Sequence, residues 1–141
     1  MFAGPLSNAI GERRARTARW AGELNRPEIE DWLSRAAVFV SPVLYEPFGV
    51  TVRDAARAGA ALVLSDIQIH REQWDRCALF VDPLDPASID EAINRFACDD
   101  TTRSRLARAA RLRAAEAPLS AQVESFLIAY GDAETARAAA I

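Results

Sequence analysis

Apolar residues in this chain follow two rhythms. Short unbroken runs at 38–41 (Val-Phe-Val-Ser), 61–64 (Ala-Leu-Val-Leu) and 79–81 (Leu-Phe-Val) are too short for helices and rich in residues that suit a pleated surface. Such runs mark strands of a parallel sheet buried on both faces. Elsewhere the apolar positions recur every three or four residues, as amphipathic helices require. Asn25 and Pro27 supply a helix start, and Ile29, Trp32, Leu33 and Ala36 fall on one face of that helix. Asp85 caps a second helix with Pro86 at its first position and Ile89, Ile93 and Phe96 on its inner side. Asp99-Asp100-Thr101 opens a third, carrying Leu106, Ala109 and Leu112 among arginines until Pro118. Leu119, Val123, Phe126, Leu127 and Tyr130 make one more stripe at helical spacing before an Ala-rich tail. At the other end, Met1-Phe2-Ala3 reads as a strand closed by Gly4-Pro5. Arg19-Trp20-Ala21-Gly22 reads as a further short strand, and residues 7–17 are polar, Arg-rich and solvent-facing. Strands alternating with helices predict βαβ units: a three-layer α/β, Rossmann-like parallel sheet with about five strands.

The junction after the 38–41 strand carries the candidate chemistry. Glu46-Pro47-Phe48-Gly49 turns the chain into a helix running from about Gly49 to Arg57, which Gly59 stops. The amides of Phe48, Gly49, Val50 and Thr51 lie at the positive end of that helix, where they lack partners within it, and an anion such as a diphosphate fits there. Asp54 lies eight positions beyond Glu46, about one and a half turns into the helix, so both carboxylates can border one crevice. Ligands of parallel sheets bind outside the carboxyl ends of the strands, which is where Glu46 and Ser65-Asp66 fall.

Charge and composition narrow the partners. A formal net charge of −3 over 141 residues, with the arginines scattered along helices, argues against nucleic-acid binding. No apolar run approaches the roughly 18 residues of a membrane span, and residues 1–10 lack the features of a signal peptide, so a cytoplasmic location is expected. Cys77 and Cys98 have no metal-ligand spacing, and their pairing is open from sequence alone. His70, the single histidine, is read as structural or surface rather than as a general base. Trp20, Trp32 and Trp74 are read as packing residues.

The ordered series of strand, Glu-Pro-Phe-Gly turn, helix, Ala-Gly, strand, Ser65-Asp66 and Phe80-Val81-Asp82-Pro83 resembles the donor-binding segment of the retaining GT-B glycosyltransferases of the family 4 type, also called group 1. The likeness covers the later part of their C-terminal domain. Their signature is a Glu, seven residues and a second Glu; here the second acid is Asp54, one methylene shorter. Ala61 also stands where proline is usual.

The resemblance implies a truncated GT-B C-terminal domain, with 1–118 the partial donor-binding domain and 119–141 a C-terminal helix and tail. It implies Glu46 beside the transferred sugar as the candidate catalytic residue, with Pro47, Phe48 and Gly49 lining the donor. Val50 and Thr51 then approach the diphosphate of a nucleotide-sugar donor, and Asp54 the ribose. No metal or other cofactor is implied. The family's N-terminal domain, and the first strand and helix that carry an Arg and a Lys for the diphosphate, have no counterpart in the likeness. The chain alone is therefore expected to be inactive, and the partner to be a homodimer mate or an N-terminal domain on another chain. The rival reading is a non-catalytic interaction or oligomerisation module built on the same scaffold.

Overall fold

The computed structural model describes residues 21–116. The predicted strand and stripe at 1–20 and 119–130 lie outside that span, except that Ala21 and Gly22 fall within it and are not in a strand. Helix α1 (Arg26–Arg35) starts as its sequence dictates: the Asn25 side chain accepts from the Glu28 amide and the Glu28 carboxylate accepts from the Asn25 amide, with Pro27 in the first turn. Strand β1 (Val38–Ser41) comes next, then helix α2 (Val50–Ala58) and strand β2 (Ala61–Ser65). Gly59, at φ +94°, ends α2, its amide donating back to Ala56. Helix α3 (Gln68–Trp74) leads to strand β3 (Ala78–Val81), and helices α4 (Pro86–Cys98) and α5 (Asp100–Ala115) complete the order. Asp85 and Asp99 cap α4 and α5 by accepting from Ala87 and Thr102. Hydrogen bonds from Thr102, its hydroxyl first and then its amide, hold the Asp99 carboxyl below the usual carboxylate range.

Among the described residues the sheet has three strands, all parallel, in the order β1-β2-β3. Central β2 is buried along its whole length, as its unbroken apolar run predicts. Alternate β2 side chains serve opposite layers. Leu62 and Leu64 pack with Leu33, Val52, Ala55, Ala56 and Trp74, while Ala61 and Val63 pack with Val81, Ala92, Phe96 and Leu106. Helix α5 serves both clusters, through Leu106 on one and Ala110 and Ala114 on the other. The three-layer α/β arrangement is therefore present.

Two local expectations change, and one helix is added to those expected. Strand β1 is half-buried rather than fully covered, because β2 flanks it on one side only among the described residues. Ile93 and Leu112 point outward, at 37% and 60% exposure, while the alanines at 92, 110 and 114 take the inner faces. Small residues let the helices approach the sheet closely, so the inner stripe is set by fit rather than by side-chain size. Helix α3 is not predicted by any periodicity in its residues. It has no side-chain cap, and its buried residues are His70 and Trp74, one turn apart.

Candidate donor-binding site

The Glu46–Thr51 turn leaves the carboxyl end of β1 and enters α2 through Gly49, which adopts φ +61°. Glycine accepts this left-handed geometry without strain. It has no side chain to cap the helix, and α2 has no acid in its first turn. Glu46 caps it from three residues upstream of Gly49: its Oε1 accepts from the Gly49 amide at 2.9 Å and from the Phe48 amide at 3.3 Å. The carboxylate thus rests on the positive end of α2, where its charge is favoured. Phe48 is 76% exposed, and Leu44, Tyr45 and Val50 are exposed beside it, so an apolar rim surrounds the turn. Pro47 and Thr51 are exposed as well.

Asp54 occupies a different setting. Its carboxylate, 17% exposed, pairs with Arg26 Nη1 at 3.1 Å, across the contact between α1 and α2. Arg26 also donates to Glu30 at 2.6 Å, and these two carboxylates together, Glu30 first, raise its pKa. The structure therefore brings Pro47, Phe48, Gly49, Val50 and Thr51 together around Glu46, and gives Asp54 a cationic partner that no sequence pattern assigns. Arg26 carries no local signal for this role, since it lies 28 positions before Asp54 and meets it only through helix packing.

At the carboxyl end of β2, Ser65 and Asp66 lace the strand ends together. Ser65 Oγ donates to the Ser41 carbonyl at 3.2 Å, and the Asp66 amide donates to the Val81 carbonyl at 2.8 Å. Arg71 grips the Asp66 carboxylate with two bonds of 2.6 and 2.7 Å and lies 4.1 Å over the Phe80 ring. Those hydrogen bonds hold the Asp66 carboxyl below its ordinary range. The pair therefore stabilises the fold above the usual Asp value, and the contribution is lost as pH falls through the depressed one. Both side chains are half-exposed, so the effect is small and salt-sensitive. Denaturant midpoints should show a constant gap between wild type and Asp66→Asn from neutral pH to about 5, narrowing below about 3.9.

The chain matches the family described as "Glycosyl transferases group 1" over residues 6–113. It belongs to the group 1 glycosyl transferases. Among curated proteins, this group 1 member is 35% identical over 114 residues to a glycogen synthase of Mycobacterium tuberculosis, covering 77% of the chain and 27% of that protein. It is 38% identical over 66 residues to sucrose-phosphate synthase 1 of Arabidopsis thaliana, covering 44% of the chain and 6% of that protein. The group 1 chain thus spans about a quarter of the glycogen synthase it matches. Its fold is that of a GT-B Rossmann-like domain: a sucrose-phosphate synthase from Thermosynechococcus elongatus superposes with a TM-score of 0.76 at 23% identity, covering 84% of this chain and 30% of that one. Among the described residues, no helix is long and apolar enough to cross a membrane.

Proposed function

We propose that this chain is the nucleotide-sugar donor-binding part of a retaining glycosyltransferase that moves a hexosyl unit. The observation that carries the reading is the Glu46 carboxylate seated on the Phe48 and Gly49 amides at the carboxyl end of β1. In this reading Oε1 keeps the turn in shape while Oε2 accepts from a hydroxyl of the donor sugar beside it. The first-turn amides of Val50 and Thr51 take the diphosphate, whose charge develops as the sugar departs, so the aligned dipole stabilises the leaving group. Asp54 receives the ribose only by sharing its carboxylate with Arg26. The names of the relatives, both saccharide synthases, support this class of chemistry.

The exposed rim of Leu44, Tyr45, Phe48 and Val50 suits a surface that another domain covers, and we assign it to an N-terminal domain or to a second copy. Without a positioned acceptor the 141-residue chain binds donors but does not transfer sugar. Equilibrium binding tests the site. The full chain should bind a nucleotide sugar and its nucleoside diphosphate with Kd values of about 1 mM, the sugar form the tighter. Glu46→Gln keeps an oxygen to accept from the amides, loses the charge that strengthens a bond to a sugar hydroxyl, and should erase that difference. Equal affinities in wild type would remove Glu46 from the sugar, and release of sugar from the donor above the buffer rate would contradict the expected inactivity.

A further inference from the structure

The candidate turn is anchored from outside itself. Five residues before Glu46, the Ser41 carbonyl at the end of β1 accepts from Ser65 Oγ. Ser65 is fully buried, and its own carbonyl lies 3.0 Å from Nδ1 of His70, which is also fully buried. A carbonyl can only accept, so His70 carries its proton on Nδ1. Nε2 has no partner among the described residues, and a proton there would leave a charged ring unpaired in the interior. The next residue of α3, Arg71, holds the next residue of the bend, Asp66. Consecutive side chains of one helix therefore grip consecutive residues at the carboxyl end of the central strand, and that bend ties β1 to β3.

We propose that His70 is a positioning residue: acting through Ser65, it sets where β1 ends and so where the Glu46–Thr51 turn stands. Its functional meaning rests on the donor reading above, whereas its structural content does not. A histidine that merely fills space could be exchanged for an apolar residue of similar size. A positioning histidine needs its Nδ1–H, and Asn can present an amide N–H near that place while Leu cannot.

His70 is the chain's single histidine, so a long-range proton–nitrogen spectrum of the full chain contains one imidazole. The expected signature is the neutral Nδ1–H tautomer; the Nε2–H tautomer would overturn the proposal. In the ligand-free protein, His70→Leu and Ser65→Ala should both shift the amides from Val43 to Gly49, and His70→Asn should leave them near wild type. Ser65→Ala removes only the hydroxyl, so it tests the Ser65–Ser41 link through which His70 acts even where His70→Leu fails to fold. Unmoved turn amides in Ser65→Ala, or matching spectra for the Leu and Asn variants at position 70, would contradict the positioning role. Uridine diphosphate binding is the second readout: about fivefold weaker in Ser65→Ala and within about twofold of wild type in His70→Asn. Failure of wild type to bind the nucleotide would count against the donor reading alone, because the tautomer and the ligand-free shifts still judge His70.

Discussion

Phe96→Ala should lower the stability of the domain by about 3–5 kcal/mol, the usual cost of emptying a large buried aromatic site. Phe96 is fully buried on the inner face of α4, against Val63 and Val81 of the sheet and Leu106 of α5. Two of its cluster mates, Ala61 and Ala92, are already small and cannot swell to fill the space. The cavity therefore persists, and its walls lose their dispersion contacts as well as the transfer energy of the ring. A domain of this size has roughly 5–15 kcal/mol to lose, so the variant should sit close to unfolding. Denaturant titration checks this through a lower midpoint at unchanged slope. A midpoint shift worth under about 1 kcal/mol would mean that Phe96 is not the centre of that layer.

Gly49→Val should disable the candidate site while leaving most of the core intact. A side chain at φ +61° is strained whatever its surroundings, by about 1–2 kcal/mol, and most for a β-branched residue. Space is short too: a Cβ at Gly49 would stand 3.2 Å from Gln73 Oε1 on α3. The end of the Gln73 side chain must give by a few tenths of an ångström, while the backbone strain falls on the turn that presents the Phe48 and Gly49 amides to Glu46. Nucleoside diphosphate binding should fall below detection, with stability lowered by about 2 kcal/mol. Gln73→Ala in the same chain relieves the crowding but not the backbone strain, so it should restore part of the stability and little of the binding. Full recovery would show that crowding alone was responsible.

Much of this architecture can be read from residue order because its determinants are local. Asn25 with Glu28, Asp85 with Pro86, and Asp99 each cap the helix immediately after them, and Gly59 closes α2. The unbroken run of β2 states that both of its faces are covered. The Glu46 contacts span two and three residues, within reach of a motif. The features that residue order does not reveal are non-local. Helix α3 has Ile67 where a cap would stand, and it is held by His70 under Ser65, by Trp74 in the core and by Arg71 on Asp66. None of these shows as a period in seven residues. Ile93 and Leu112 lie on helices whose period is legible and whose phase is not, because alanine faces pack closest to the sheet. Helical geometry alone lets Asp54 border the same crevice as Glu46, whereas its pairing with Arg26 depends on how α1 lies against α2.

A donor-binding role for the turn from Glu46 to Thr51 requires its own amides to respond first to nucleotide. Titration of the isotopically labelled full chain with uridine, guanosine and adenosine diphosphates, followed amide by amide, tests it most directly. Phe48, Gly49, Val50 and Thr51 should move first and saturate together in the millimolar range, about 4 kcal/mol of binding. Shifts confined to other surfaces, or an unmoved turn at several times that concentration, would contradict it.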